Sequence, residues 1–369
     1  MDHIEVTYHI EGTEEEVRSR AGSVLLEQTV ETPRVVAERH AFVREHMMGR
    51  LLSLDAAEAG GFRVRLALPT VTASVDPAQF VNVLFGNSSL HPFVSLDDFE
   101  IPASMREMFR GPRFGVDGLR GQVCAFSRPL TCTALKPVGL DIAELAALCR
   151  TFAEGGIDLI KDDHYLADHP FSPFDVRVLA CQSAVEEVEA RTGLRALYVP
   201  SLSGTPDDVR RQADIAQEAG VEAVMVAPML VGLPFFYELT HHRLDVPVLA
   251  HPSFGGAGRI RPEALFGKLF RLYGADAVIF ANYGGRFAYP PEVCRSLAET
   301  LRSDWHGLAP AFPVPAGGMK VERAEELTTF FGLDTILLIG GSLLEAGDAL
   351  LERTRAFTES VARAAAALA

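Results

Sequence analysis

The sequence predicts an α/β protein in which a C-terminal (β/α)8 TIM barrel follows an N-terminal α+β domain of ferredoxin-like type. From about residue 130 onward, a short apolar run followed by an amphipathic helical pattern occurs eight times, which is typical of this barrel. The apolar runs are nearly continuous, as in parallel strands that are buried on both faces. Residues 1–125 have a different texture, with segments that alternate apolar and polar positions, which indicates a half-buried sheet.

Each of the eight barrel strands is expected to precede a helix. The predicted strands are Thr131–Pro137, Ile157–Asp163, Leu197–Leu202, Val221–Pro228, Val246–His251, Asp276–Asn282, Ala311–Ala316 and Thr335–Gly340. The helix after the third strand is expected to begin with Thr205 as its N-cap and Pro206 at its first position. The even spacing of the eight units favours a closed barrel, and a doubly wound open sheet is the alternative.

The N-terminal domain is expected to span residues 1–125 and the barrel residues 126–369. Gly111–Arg120 is rich in glycine and is interpreted as the linker between them. Within the first domain we expect a small antiparallel sheet with helices on one face. The predicted strands are Ile4–Ile10, Leu51–Leu54, Phe62–Leu68 and Val71–Val75, and the predicted helices are Glu14–Ser23 and Pro77–Leu84.

Composition excludes several classes of protein. The 369 residues carry a net charge of −15 and are 48% hydrophobic, which argues against a disordered chain and against a general nucleic-acid binder. No charge-free stretch reaches about 18 apolar residues and no basic segment precedes an apolar one at the N-terminus, so a cytoplasmic protein without a membrane span is expected. The five cysteines include no CxxC pair; we therefore expect buried free thiols rather than disulfides or a zinc ribbon.

Charged residues collect where the predicted strands end, which is where barrel enzymes carry their active sites. Lys136 ends the first strand and His251 the fifth, whereas Lys161 and Asp163 end the second and His164 begins its loop. Lys161 and Asp163 are two residues apart and therefore project to the same side. Divalent cations prefer oxygen ligands, and Lys161 could supply one only as a carbamate. The alternatives are an Asp–Lys ion pair beside a solvated His164, a rim position for Lys136, and a core position for His251.

Two glycine pairs follow the last two predicted strands. Gly317-Gly318 follows the seventh and Gly340-Gly341 follows the eighth. Barrels often bind phosphate at these two strands, where backbone N–H groups of glycine approach the ligand closely. The alternative is that both pairs are ordinary turns at strand exits. Neither pair matches a P-loop or a dinucleotide-binding fingerprint.

Two segments resemble the first two strand motifs of ribulose-bisphosphate carboxylase (RuBisCO) large chains. They are Thr133-Ala134-Leu135-Lys136-Pro137 and the string GGIDLIKDD that ends at Asp163. The two glycine pairs match the family in order and spacing. Phe85-Gly86-Asn87 resembles its Gly-Asn motif, and Glu27 lies in a segment that resembles its Glu-containing one; in the family both reach a neighbour's active site. The resemblance extends from about residue 4 to residue 355, and the Gly-Gly-x-Asp-x-x-Lys-Asp-Asp string is highly specific.

The chain also departs from the carboxylases, in several places at positions that hold CO2-derived charge or the second phosphate. The carboxylases have Glu in place of His164, Lys in place of Val138, Arg in place of Pro252, His near Ile279 and Ser in place of Ala316. The resemblance therefore implies a RuBisCO-like protein rather than a carboxylase. It also implies a substrate that carries one phosphate.

The resemblance assigns roles to the candidate residues. It implies Mg²⁺ held by Asp163, His164 and a carbamate that CO2 forms on Lys161, with Mn²⁺ as an alternative because an imidazole makes the ligand set mixed. It implies catalytic roles for Lys136, Lys161 and His251, with Lys136 as an acid or base. The implied phosphate and substrate ligands are Gly317, Gly318, Gly340, Gly341 and Arg286, together with Glu27 and Asn87 from a neighbouring subunit. A homodimer with shared active sites is therefore expected.

The reaction that the resemblance implies is formation of a metal-stabilised enediolate on a phosphorylated keto-sugar. The first expectation is isomerisation of 5-methylthioribulose 1-phosphate in methionine salvage, by proton transfer. One alternative is a decarboxylase or carboxyl-removing hydrolase of a 3-oxo acid sugar phosphate, such as 3-oxo-isoapionate 4-phosphate in apiose catabolism. A second alternative is an inactive barrel that binds a phosphosugar as a sensor or scaffold.

Overall fold

Contacts within the computed structural model, which describes residues 2–58, 60–287 and 289–368, divide the chain into two units. The first consists of Met1–Arg110 and Phe254–Leu265, and the second of Gly111–Ser253 and Phe266–Ala369. The division therefore falls at 110/111 rather than at the expected 125/126. The reason is helix α4, Gly115–Val123, which occupies most of the expected linker and whose residues Val116, Leu119 and Val123 lie in one core with the barrel strands.

The N-terminal unit contains a four-stranded antiparallel sheet with the order β2-β3-β1-β4. One face of β1 is completely buried while the other is half-buried, so the predicted alternation is confirmed. Its strands are β1 His3–Ile10, β2 Arg50–Ala56, β3 Phe62–Pro69 and β4 Val94–Glu100, and its helices are α1 Glu14–Glu27, α2 Arg34–Ala37 and α3 Pro77–Phe85.

Two features of this unit differ from expectation. Strand β4 was not predicted, because its Asp97 and Asp98 interrupt the alternation of apolar and polar residues. The strand predicted at Val71–Val75 is instead a turn after β3. There the Thr72 hydroxyl donates to the Pro69 carbonyl at 2.7 Å, and Val75 is 79% exposed. A strand there would have no buried face.

The second unit is a barrel of parallel strands. In the described part of the chain, β5 to β7 and β13 form one sheet and β8 to β12 another, and β7 and β8 are the two halves of the predicted third strand on either side of Pro200. Parallel pairing of β13 with β5 joins the last strand to the first. The strands are β5 Leu130–Leu135, β6 Leu159–Asp162, β7 Leu197–Val199, β8 Ser201–Leu202, β9 Val224–Val226, β10 Val248–Ala250, β11 Ala277–Ala281, β12 Phe312–Ala316 and β13 Ile336–Leu338.

Helices follow the strands, as predicted. The third helix begins as expected, since the Thr205 hydroxyl accepts from the Asp208 N–H and Pro206 takes the first helical position. After α4 the helices are α5 Ile142–Glu154, α6 Phe174–Thr192, α7 Pro206–Glu218, α8 Pro228–Val231, α9 Leu233–Glu238, α10 Phe270–Leu272, α11 Pro291–Arg302, α12 Ala324–Phe331, α13 Gly341–Leu344 and α14 Leu350–Ala366.

Apolar side chains from alternate strand positions fill the barrel. Leu159, Met225, Leu249 and Phe312 are all completely buried members of this core, so the interior is packed and polar groups are left for the strand ends. Four cysteines are buried free thiols as expected, but Cys124 at the end of α4 is exposed. Across residues 2–58, 60–287 and 289–368, none of the helices has the length and apolar character needed to cross a bilayer.

Candidate active site at the carboxyl ends of the barrel strands

Parallel pairing brings the predicted strand-end residues to one end of the barrel. Lys136 follows β5, the adjacent strand β6 contains Lys161 and is followed by Asp163 and His164, and His251 follows β10. The register places Leu135 beside Asp162, so Lys136 and Asp163 leave neighbouring strands at the same level. The alternation of strand side chains then decides which of them share a face.

Asp163 is the centre of a cluster of polar groups. Asp163 is 1% exposed, and its carboxylate accepts a hydrogen bond from the Lys136 ammonium at Oδ2. Its Oδ1 accepts from the Tyr165 backbone N–H at 3.0 Å and lies 3.4 Å from the His164 Nδ1. Lys161 is 3% exposed and its ammonium donates to the Asp162 carbonyl at 2.6 Å. The ion pair considered from sequence therefore forms, but with Lys136.

Burial and charge set the protonation states of this cluster. Burial lowers the pKa of Lys161, and the nearby Lys136 charge acts in the same direction. Burial alone would raise the pKa of Asp163, but hydrogen bonds from Lys136 and Tyr165 outweigh it and hold that pKa below its usual value. The result is an ionised carboxylate next to a lysine that releases its proton more easily than an exposed one.

Two imidazoles stack beside this carboxylate. The rings of His164 and His251 have centroids 4.2 Å apart and planes inclined by 16°, and His251 Nδ1 lies 2.9 Å from the Ser253 Oγ. Burial lowers the pKa of both histidines, His251 most strongly. Neutral imidazoles at neutral pH follow, so both can present a ring nitrogen lone pair.

The glycine pairs line a cavity of about 350 Å³ at the ends of β12 and β13. Gly317 and Gly318 have φ values of +94° and +91°, a conformation that glycine adopts at little cost. The Arg286 N–H donates to the Gly317 carbonyl at 2.7 Å, which fixes the loop after β11 against this pair. The predicted residues that line the cavity are Lys136, Arg286, Gly317, Gly318, Gly340 and Gly341.

Sequence reasoning missed part of this cavity. Its wall also includes Met319, Lys320, Ser342 and Glu345, which immediately follow the glycine pairs or lie a turn beyond them. Lys320 directly follows Gly318-Met319, so its proximity to a predicted phosphate site was a usable signal. Three cationic residues therefore surround the four glycines, and together they suit a phosphate group.

Glu27 and Asn87 meet in the N-terminal unit. The Asn87 amide donates to the Glu27 carboxylate at 2.8 Å and lies 3.4 Å from a carboxylate oxygen of Glu31. These residues line a cavity of about 170 Å³. The two sequence-predicted residues are thus brought together, and their action at a neighbouring subunit stays a prediction.

The conventional metal ligands at the strand ends are few. Among the residues that the structure describes, no group of three or more His, Cys, Asp or Glu side chains could hold a metal ion. Asp163 and His164 have donor atoms 3.4 Å apart, a separation that suits two ligands of one cation at about 2.1 Å each. A cation here would need a third donor of another kind.

The chain is similar to known proteins over almost all of its length. Residues 115–349 match the model of the ribulose bisphosphate carboxylase large chain, catalytic domain. The chain is 48% identical to ribulose bisphosphate carboxylase-like protein 1 of Rhodopseudomonas palustris, covering 98% of both. It is 44% identical to the 5-methylthioribulose-1-phosphate isomerase of Rhodospirillum rubrum, covering 99% of this chain and 97% of that one. It is also 35% identical to the 2,3-diketo-5-methylthiopentyl-1-phosphate enolase of Geobacillus kaustophilus, covering 81% of this chain and 74% of that one.

Solved structures extend the similarity to the whole fold. A RuBisCO-like protein from R. palustris superposes with a TM-score of 0.90 at 42% identity, covering 98% of both chains. The octameric RuBisCO of Pyrococcus horikoshii superposes with a TM-score of 0.93 at 26% identity, covering 99% of this chain and 89% of that one. The chain belongs to the RuBisCO large-chain family, as one of its RuBisCO-like proteins.

Proposed function

We propose that this protein isomerises 5-methylthioribulose 1-phosphate by proton transfer through a metal-stabilised enediolate. One observation carries the proposal. Lys136, Lys161, Asp163 and His164 converge beside a glycine-lined cavity in a chain 44% identical, over 99% of its length, to a protein named for that reaction. The cavity offers backbone N–H groups and cations for one phosphate, and the polar cluster offers groups for proton transfer.

The residues fit a divalent cation. Asp163 and His164 offer two adjacent donors, and Lys161 is buried with a lowered pKa, so its uncharged amine is available to react with CO2 as the resemblance implies. Lys161 as the carbamate, Asp163 and His164 would then hold Mg²⁺ or Mn²⁺. When bound, the cation stabilises the negative charge that develops on the enediolate oxygens.

The chain's own residues would do the rest. Lys136 contacts Asp163 and lines the cavity. There its amine can take a proton from the substrate or return one to it. Gly317, Gly318, Gly340 and Gly341 would present backbone N–H groups to the phosphate, and Arg286 would neutralise its charge. His251 is stacked on His164, where its neutral ring can accept a hydrogen bond from a substrate hydroxyl.

A second candidate function is the enolase reaction on 2,3-diketo-5-methylthiopentyl 1-phosphate. It is supported by 35% identity over 306 residues with a protein of that name. Both reactions use a phosphorylated substrate and an enolised intermediate, so the same residues serve either. The product distinguishes them.

The test is proton NMR in D2O. The protein is incubated with Mg²⁺, bicarbonate and 5-methylthioribulose 1-phosphate, and in parallel with the diketo compound. Deuterium incorporation with a new sugar phosphate from the first substrate supports the isomerase, and turnover of the second alone supports the enolase. With neither, 3-oxo acid phosphates are tested for released CO2, and release of CO2 would contradict the proposal.

We also propose that the active unit is a homodimer in which Glu27 and Asn87 of one subunit complete the other's site. The relationship to an octameric RuBisCO and the Glu27–Asn87 hydrogen bond support this. Two inactive variants, Glu27→Gln and Lys161→Met, are mixed after separate purification and mild dissociation. Recovered activity supports shared sites, and its absence in verified heterodimers contradicts them.

A further inference from the structure

A single buried guanidinium organises the loop that follows β6. This loop, residues 163–173, connects β6 to α6 and begins with Asp163 and His164. Arg177 in α6 is 0% exposed. Its Nη1 donates to the Ser172 carbonyl at 2.7 Å and to the Ala167 carbonyl at 3.1 Å, and its Nη2 lies 3.4 Å from the Leu166 carbonyl. Three carbonyls of one loop therefore face one side chain.

The same guanidinium also reaches the strand itself. Arg177 Nε lies 3.3 Å from Asp162 Oδ2. The Asp162 carboxylate is 0% exposed and accepts from the Tyr198 hydroxyl at 2.8 Å and from the Ser201 N–H at 3.1 Å. Asp162 lies between Lys161 and Asp163 in sequence, so its side chain projects to the opposite side of the strand. Asp162 therefore fixes β6 from the face opposite to Lys161 and Asp163.

A buried charge of this kind favours one loop conformation. A guanidinium removed from water is costly unless its N–H groups are paired. Asp162 alone pairs only one of the guanidinium nitrogens, and the others are paired by carbonyls that belong to the loop. Displacing the loop would leave buried donors without acceptors, so the native loop conformation and the pairing of Arg177 are favoured together.

We propose that Arg177 is a positioning residue that holds Asp163 and His164 in the geometry that binds a divalent cation. It acts through Asp162 and through the carbonyls of residues 166, 167 and 172. The proposal rests on the proposed function insofar as Asp163 and His164 are taken as cation ligands. A lysine could not replace Arg177, because one ammonium cannot reach both the carboxylate and the loop carbonyls in a fixed fork.

The barrel contains a matched control in Arg271. Arg271 is also 0% exposed, and it donates to the carbonyls of Thr300, Ser303, Leu308 and Ala309 at 2.9–3.1 Å. These acceptors lie on the segment that leads into the amino end of β12, whereas the candidate ligands follow the carboxyl end of β6. Arg271→Lys removes a comparable number of carbonyl contacts from a fully buried arginine without touching the loop that carries the ligands.

The experiment measures Mn²⁺ binding by electron paramagnetic resonance in the presence of bicarbonate, for the intact protein, Arg177→Lys and Arg271→Lys. We expect the dissociation constant to rise roughly 10- to 100-fold in Arg177→Lys, as for other groups that orient metal ligands, and by less than about twofold in Arg271→Lys. Both variants should lose thermal stability. Excess Mn²⁺ should restore turnover in Arg177→Lys, which a purely structural defect would not permit.

Other outcomes overturn the inference. Wild-type-like Mn²⁺ binding by Arg177→Lys, or an equal loss in Arg271→Lys, contradicts the positioning role while leaving the proposed function intact. Absence of bicarbonate-dependent Mn²⁺ binding in the unaltered protein contradicts the proposed function itself. If Arg177→Lys does not fold, Tyr198→Phe removes one hydrogen bond to Asp162 and should raise the dissociation constant by a few-fold; unchanged binding in that variant contradicts the role.

Discussion

Charged side chains have different partners at the two ends of the barrel. At the amino ends of the strands, Asp158 accepts two hydrogen bonds from the Arg128 guanidinium at 2.7 and 2.8 Å and further ones from the Thr131 N–H and hydroxyl. Asp276 accepts from the N–H groups of Phe114, Gly115 and Val248 at 2.7–2.9 Å. Asp158, just before β6, thereby connects β6 to β5. Asp276, just before β11, connects β11 to α4 and β10.

At the carboxyl ends, charged side chains face one another next to the glycine-lined cavity. Asp163 is bonded to Lys136 and faces His164, while the Lys161 ammonium donates to the Asp162 carbonyl. Lys136 and His164 thus face the Asp163 carboxylate, and His251 stacks on His164. The carboxylates at the amino ends connect elements of the fold through several hydrogen bonds each, whereas the groups at the carboxyl ends keep bonding capacity for a ligand.

The largest expected effect tests the carboxyl end directly. Lys161→Met keeps an unbranched side chain of nearly the same length and removes the amine, so it should lower turnover by roughly 10³-fold or more, because the electrostatic stabilisation of the intermediate is lost. Stability should stay the same or rise by about 1 kcal/mol, because a buried charge is replaced by an apolar group. Deuterium exchange and thermal denaturation measure the two quantities.

The converse result would abolish the contrast. A Lys161→Met protein that keeps its activity would show that the amine takes no part in the reaction. A protein that loses several kcal/mol of stability would show that this end stabilises the fold as the other end does.

Asp276→Ala is the matching change at the amino end. It leaves three N–H groups, two of them buried, without their acceptor, and each buried group costs about 1–3 kcal/mol. We expect the free energy of unfolding to fall by about 2–6 kcal/mol in urea denaturation. Turnover per folded molecule should stay within about twofold, since the site lies at the other end of the strands. A large fall in turnover with unchanged stability would reverse the contrast.

The pH dependence of stability sharpens this prediction. Burial raises the pKa of Asp276 to about 6 from 3.8. Between pH 3.8 and about 6, Asp276 is therefore protonated in the folded state but ionised in the unfolded state. The stability that this bound proton contributes is complete below about pH 4 and is lost as the pH rises through about 6. Its size is at most about 3 kcal/mol. Asp276→Asn cannot titrate, so its destabilisation relative to the unaltered protein should be larger at pH 4 than at pH 7. Equal destabilisation at both pH values would contradict the raised pKa.

Much of this architecture could be predicted from the sequence because the relevant signals are local. The predicted barrel strands fall within a few residues of those observed, because short continuous apolar runs are typical of parallel strands that are buried on both faces. The strand-end cluster followed from alternation, and the GGxDxxKDD string identified the family that the comparisons confirm. The two glycine pairs line one cavity, and phosphate binding there stays a prediction.

The features that were missed depend on tertiary contacts. Helix α4 contains Gly115, Gly118 and Gly121, whose low helix propensity argues against a helix, but burial of Val116 and Leu119 outweighs it. Arg177 lies on a long helix whose sequence gives no sign that this arginine is fully buried. The Lys136–Asp163 pair joins residues 27 apart, and only the strand register brings them together.

The smallest expected effect concerns the glycine cavity. A Cβ at Gly341 would meet no atom within 4 Å, yet Gly341 lines the cavity at the carboxyl end. Gly341→Ala should therefore leave the melting temperature nearly unchanged and raise KM for the phosphorylated substrate by roughly tenfold, because the added methyl group takes space from the phosphate. Initial-rate kinetics and thermal denaturation are the measurements.

Gly121→Ala provides the matched control, because a Cβ there also meets no atom within 4 Å but lies in α4. It should stabilise the protein by about 0.5–1 kcal/mol, as alanine does in a helix, and leave KM unchanged. If Gly341→Ala behaves in the same way, the cavity is not the phosphate site, and the groups at the carboxyl end serve a ligand bound elsewhere. If Gly341→Ala raises KM without changing stability, the substrate occupies the space beside Gly341. The backbone at the carboxyl ends of the strands then serves ligand binding, as the charged side chains there are proposed to do.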